Sequence, residues 1–147
     1  MATVRDILMV KGNQVWSISP DTLVIEALQI MTEKEIGALL VIEDGKIAGI
    51  ISERDFVHTV AEKESCILQT IVPEYMTKEV HTVTPDTTLD ECMQLMTDKH
   101  IRHLPVLDYG KLVGMISIGD IVKEIISTEK SQINALENYI QGTGYGQ

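Results

Sequence analysis

The stretch Gly49-Ile50-Ile51-Ser52-Glu53-Arg54-Asp55 returns sixty-five residues later as Gly114-Met115-Ile116-Ser117-Ile118-Gly119-Asp120. A chain that repeats an apolar run with the same Ser-x-x-Asp ending is built from two copies of one supersecondary unit. Residues 15–55 lie on 80–120 without a gap: Pro20 meets Pro85, Glu26 meets Glu91, Met31 meets Met96 and Val41 meets Val106. Shared among 147 residues, each copy has only about 50, too few to bury a sufficient core alone. The expectation is an α/β (α+β) fold of two βαββα repeats packed face to face with pseudo-twofold symmetry, leaving two related clefts.

The order of elements follows from local patterning. Val4, Ile7 and Leu8 stand at helical spacing before Lys11-Gly12-Asn13 interrupts them. Val15 to Ile18 alternates as a half-buried strand does, and Pro20-Asp21-Thr22 breaks and caps. Val24, Ala27, Leu28 and Met31 then make the apolar face of a helix. The apolar runs 38–42 and 47–51, split by Glu43-Asp44-Gly45-Lys46, predict two strands joined by a tight hairpin. Ser52 opens the next helix, which fades into Glu62-Lys63-Glu64-Ser65. The same order begins again at Val80. Repeat one is expected over about 10–62, repeat two over about 75–127, and a C-terminal helix over about 128–141 with an apolar stripe of Ile133, Leu136 and Ile140. The end, Gly142 to Gln147, is flexible by composition.

Composition removes several classes of function. A net charge of −10 repels a nucleic-acid backbone, and only Lys99 to His103 gathers positive charge, enough for a small anion rather than a duplex. Hydrophobic content of 44% is ordinary, and no apolar stretch approaches the ~18 residues that span a bilayer. The opening Met1 to Asp6 does not read as a secretory signal, so the expected location is cytoplasmic. Cys66 and Cys92 share no metal or disulfide spacing. His100-x-x-His103 lacks a third ligand, Gly110-Lys111 lacks the phosphate-loop frame, and an Asp-Gly hairpin explains the latter pair. Met31, Met93 and Met96 read as core. No metal and no catalytic residue are expected.

Two readings remain for the paired Ser-x-x-Asp. As a capping box, the serine oxygen accepts from an N3 amide and the aspartate bonds back. As a ligand site, a carboxylate at an exposed helix start accepts from both hydroxyls of a ribose, while free amides favour a phosphate.

With both copies carrying Gly-h-h-Ser-x-x-Asp in a strand-helix-strand-strand-helix frame, the chain resembles a tandem cystathionine-β-synthase (CBS) domain pair. The finer pattern of Lys11-Gly12, Ser52-Glu53-Arg54-Asp55, Ile101 to Val106 and Leu136 to Ile140 resembles small stand-alone CBS-pair proteins that hold AMP or NAD(H). The resemblance implies an adenine-nucleotide sensor. In the first cleft Asp120 would take the ribose hydroxyls, Ser117 and Gly119 would sit near sugar and phosphate, and Met115 would lie against the base. Trp16, Ser17, Ile36, Gly37 and Ala38 would line the adenine pocket from the facing copy. Arg102 and His103 would face the phosphate, within reach of Lys11. In the second cleft Asp55, Ser52 and Arg54 would serve the sugar, with His81, Thr82 and Ile101 opposite.

The copies differ in charge, because Gly37 and Ala38 stand where the second has Arg102 and His103. Arginine suits phosphate through its planar, permanently charged fork, and histidine adds charge only when protonated. The Asp120 cleft is therefore ranked first for a phosphorylated ligand: AMP before ADP, ATP, NAD(H) or S-adenosylmethionine. Both basic residues also read as a solvated edge, and Trp16 as a cap on the core. The expected role is a homodimeric, non-catalytic regulator of an unidentified downstream protein. Its alternatives are a nucleotide-independent interaction protein and, with less support, a nucleotide-processing enzyme.

Overall fold

A computed structural model describes residues 1–140; the glycine-rich end from Gln141 onward, including the last residue of the expected C-terminal helix, lies outside the described residues. The elements run α1 (Val4–Lys11), β1 (Ser17–Ile18), α2 (Val24–Lys34), β2 (Ala38–Glu43), β3 (Lys46–Ser52), α3 (Glu53–Lys63), a 3₁₀ turn (Val72–Glu74), α4 (Leu89–Lys99), β4 (His103–Asp108), β5 (Lys111–Ser117) and α5 (Ile118–Ile140). They form two compact units, one of residues 1–14 with 82 onward, the other of residues 15–81.

In the unit of residues 15–81, β1 runs parallel to β2, which pairs antiparallel with β3. The hairpin turns on Asp44 and Gly45, both at positive φ (52° and 76°), as a two-residue primed turn requires. Val24, Ala27 and Met31 of α2 bury against Leu39, Val41 and Ile51, and Val72 closes the same cluster. The spacing that predicts α2 is thus its buried face.

The other unit repeats this plan with one loss. Its hairpin turns on Tyr109 and Gly110, again both at positive φ (50° and 79°), so tyrosine stands where the Asp-Gly reading put aspartate. Leu89, Cys92 and Met96 of α4 bury against Leu104, Val106 and Ile116. The strand expected after Val80 is reduced to a single parallel bridge, Val83 to Val106. Val83 donates to the Pro105 carbonyl (3.0 Å) and accepts from the Leu107 amide (2.8 Å). Continuing that ladder would call on the amide of residue 105, which proline lacks. In the first copy Leu40 stands at that position and pairs with Ser17.

Each unit is completed by a segment from outside its own copy. Before α1, Thr3 bridges Thr88, and the Val4 amide reaches Thr87 O (2.9 Å). In the other unit Ile71 bridges Leu23, and the Val72 amide reaches Thr22 O (2.9 Å) in the same way. One turn further on, Leu8 sits over Gly114 and Met76 over Gly49, so close that a Cβ on either glycine would meet it at 2.6 Å. The two glycines of the repeated motif therefore admit a foreign side chain against each hairpin. Both hairpins also shift register beside them, between Val41 and Ile42 and between Val106 and Leu107.

Helix α5 continues unbroken past Ser127 and Thr128; the Thr128 hydroxyl bonds back to Glu124 O (2.9 Å) within the helix. Ile121 is buried, while Val122, Ile126, Ile133, Leu136 and Ile140 are exposed.

Two outcomes follow from this packing. At position 49 an added methyl also meets the Thr77 carbonyl at 2.9 Å, whereas at position 114 its short contacts are all with the flexible end of Leu8. Gly49→Ala should thus cost on the order of 1–3 kcal/mol and Gly114→Ala less, read from urea unfolding midpoints. Cys92 is fully buried, and burial first, then the charge of Glu91, pushes its thiol up to about 11, whereas Cys66 is exposed. An aromatic disulfide reagent should label Cys66 in the native protein and Cys92 only after denaturation.

Candidate functional site

The corner between β5 and α5 begins with a capping box. The Ser117 amide donates to Asp120 Oδ2 (2.9 Å), and the Asp120 amide donates to Ser117 Oγ (3.2 Å). The same box holds the corner between β3 and α3: the Ser52 amide and hydroxyl each donate to Asp55 Oδ2 at 3.0 Å, and the Asp55 amide donates to Ser52 Oγ (3.2 Å). Both serines and aspartates thus start their helices, the structural job that the motif alone predicts.

What differs is the company each aspartate keeps. Lys11, the last residue of α1, places its ammonium 2.7 Å from Asp120 Oδ2 and 2.8 Å from the Met115 carbonyl. Helix α1 ends there because Gly12 turns the chain at φ 94°. Burial alone would raise the Asp120 carboxyl, but the bonds from Lys11 and the Ser117 amide, with the lysine charge, hold it below the usual carboxylate range. The Asp120 side chain is 16% exposed and that of Lys11 39%. Lys11 thus meets the aspartate that its expected phosphate would lie beside.

Arg102 and His103 reach the same corner through the backbone. The Ile118 amide donates to Arg102 O (2.9 Å), and His103 pairs with Ser117 at the first rung of the β4–β5 ladder. Arg102 is exposed and His103 half-buried. Gly119 is exposed beside Ser117 Oγ, 3.6 Å from where its Cβ would stand. One unit therefore gathers Lys11, Arg102, His103, Met115, Ser117, Gly119 and Asp120 around the start of one helix. Thr82, exposed, and Ile101, half-buried, belong to this unit too.

The remaining expected residues lie in the unit of residues 15–81. The Glu53 amide donates to Gly37 O (3.0 Å) and Ala38 pairs with Ser52, so Gly37 and Ala38 flank the Asp55 corner as Arg102 and His103 flank the other. Ile36 and His81 are half-buried, and Ser17 is exposed. Arg54 Nε donates to His58 Nε2 (3.4 Å), one turn along α3. Trp16 packs partly on the core, and the Lys34 ammonium lies 4.4 Å from its ring centroid, a cation–π contact at the end of α2. The spacing of α2 did not single out Lys34, since no helical period says which strand its last turn meets.

Among the described residues no group of three or more His, Cys, Asp or Glu side chains is placed to hold a metal ion, and no helix is long and apolar enough to cross a membrane.

Comparisons with known proteins agree with this architecture. The CBS domain family matches residues 4–62 and 72–127. The chain is 38% identical to the CBS domain-containing protein CBSX3, mitochondrial, of Arabidopsis thaliana, over 97% of this chain and 73% of that protein. The solved structure of a protein with CBS domains from Burkholderia ambifaria superposes with a TM-score of 0.82 at 46% identity, covering 86% of this chain and 95% of the other. CBSX2 in complex with AMP gives 0.71 at 29% identity, with 88% and 99% covered. The CBS domain pair of MJ0100, in complex with 5′-methylthioadenosine and S-adenosyl-L-methionine, gives 0.73 at 26% identity, with 84% and 99% covered. Two matched copies, the repeated glycine–serine–aspartate corner and the shared fold lead to one conclusion: this chain is a CBS-pair protein and belongs to the CBS domain family.

Proposed function

We propose that the chain is a non-catalytic sensor that binds an adenine nucleotide, AMP first, at the Asp120 corner and signals by a change of shape or association. The observation that carries this reading is the charge around Asp120: a half-buried, ionised carboxylate for a ribose, with Lys11, Arg102 and His103 at the same helix start for a phosphate. The AMP bound to CBSX2 supports the ligand class, and the two adenosyl ligands of MJ0100 keep S-adenosylmethionine beside ADP, ATP and NAD(H) as alternatives.

In this reading Ser117 and Gly119 flank sugar and phosphate and Met115 meets the base, with base-side parts for Trp16, Ser17, Ile36, Gly37 and Ala38. A second site uses Ser52, Arg54 and Asp55 with His81, Thr82 and Ile101. It lacks the basic pair, with Arg54 as the cation that compensates, and ranks second for a phosphorylated ligand. The repeats are taken as about 10–62 and 75–127. Ligand binding shifts an equilibrium only as far as it prefers one state, so the signal requires a state-selective ligand and a downstream protein that reads it. The exposed apolar stripe of α5 supports a homodimer. A cytoplasmic location completes the proposal.

Asp120→Asn keeps an oxygen for the Ser117 amide but removes the charge offered to a ribose. Calorimetry should read AMP binding about ten- to hundredfold weaker, with the melting temperature within a few degrees of the parent. Unchanged affinity would overturn the assignment. No heat from AMP, ADP, ATP, NADH or S-adenosylmethionine on the parent would favour the nucleotide-independent alternative, and turnover of AMP, ATP or NAD the enzymatic one. Light scattering at micromolar concentration should give twice the 16.4 kDa chain mass; monomers alone would remove the dimer.

A further inference from the structure

The position of Lys11 is over-determined for a surface lysine. Its helix is pinned by the Thr3–Thr88 bridge, by the bonds from Val4 N to Thr87 O and Arg5 N to Pro85 O (both 2.9 Å), and by Leu8 against Gly114. Gly12 then ends the helix, so the ammonium is delivered to one place, between Asp120 Oδ2 and the Met115 carbonyl. Beyond it a groove of about 340 Å³, lined in part by Lys123, Glu124 and Ser127 of α5, opens from the same lysine and aspartate. At the Asp55 corner the carboxylate takes its bonds from the amide and hydroxyl of Ser52. The structural counterpart of α1 there is the segment that carries Met76 over Gly49, and the polar residues that follow include an exposed Glu79.

We infer that Lys11 is a resident counter-ion that makes the Asp120 site select phosphorylated over uncharged nucleosides. The inference rests on the reading that Asp120 takes the ribose. The ammonium neutralises the carboxylate. A nucleoside whose hydroxyls compete for that carboxylate weakens this pair and offers the ammonium no anion in exchange. A nucleotide brings its own anion. The ammonium turns to the phosphate while keeping the Met115 carbonyl, so one charge-assisted bond replaces another. The selectivity therefore comes from an exchange of partners, and it acts against neutral ligands as much as in favour of charged ones.

Calorimetry with AMP and with adenosine on the full chain and on Lys11→Met tests this. The parent should bind AMP at least tenfold tighter than adenosine. In Lys11→Met that ratio should shrink towards one, adenosine holding its affinity or gaining while AMP loses about ten- to hundredfold. Lys11→Arg should restore most of the preference. An unchanged ratio in Lys11→Met would overturn the inference by giving phosphate recognition to Arg102 and His103, and an equal loss for both ligands would do so by making Lys11 a structural prop. Should Lys11→Met fold poorly, Lys11→Gln and the salt dependence of the parent's ratio carry the same test: a ratio that does not fall as salt rises counts against the counter-ion. A parent that binds neither ligand fails the ribose reading itself, and the inference falls with it. A parent that binds both ligands and loses both with Asp120→Asn supports that reading, and the Lys11 variants then decide the inference alone.

Discussion

Each hairpin depends on a missing methyl group. At Gly49 and Gly114 the backbone lies so near a side chain from a distant segment that an added methyl would have to displace it. That approach lets Met76 and Leu8 complete the packing of strands whose own copies are too small to cover them. The backbone bridges one turn earlier, Thr3 to Thr88 and Ile71 to Leu23, fix the direction from which those side chains arrive.

The same arrangement explains why two nearly identical corners acquire different chemistry. Over Gly114 the pinned segment is a helix, and its last residue, Lys11, falls on Asp120. Over Gly49 it is a short 3₁₀ turn followed by irregular chain, and Asp55 is held by Ser52. The capping boxes are equivalent; the inequality comes from the segments beside them. Repetition preserved the helix start and left the charge around it free to diverge.

Much of this was legible in the chain. The twin motif announced the two copies, the period of Val24, Ala27 and Met31 announced a buried helix face, and Asp44-Gly45 announced a primed turn. Arg102 and His103 opposite Gly37 and Ala38 announced the asymmetry of charge. What periodicity could not carry was long-range choice. Val4, Ile7 and Leu8 read as a helix, but nothing in their spacing says that their neighbour is Gly114. Pro105 stood in plain view as the match of Leu40, yet its effect on the strand before Pro85 appears only when the missing amide is placed on the edge that strand would use. Lys11 reads from the sequence as reaching a phosphate, and the partner the fold gives it is Asp120.

The division of the chain also sets an order of assembly. Residues 15–81 form one unit from continuous sequence, whereas the other unit joins residues 1–14 to a body that begins at Thr82. Helix α1 is translated before residues 15–81 and its docking surface on β5 after them, so its buried face has no partner until that intervening unit has been made. The contacts that place Lys11 on Asp120 are among the most distant in sequence, and closing so long a loop comes late in folding. The charge arrangement that distinguishes one corner from the other thus hangs on a contact that closes over the whole of residues 15–81.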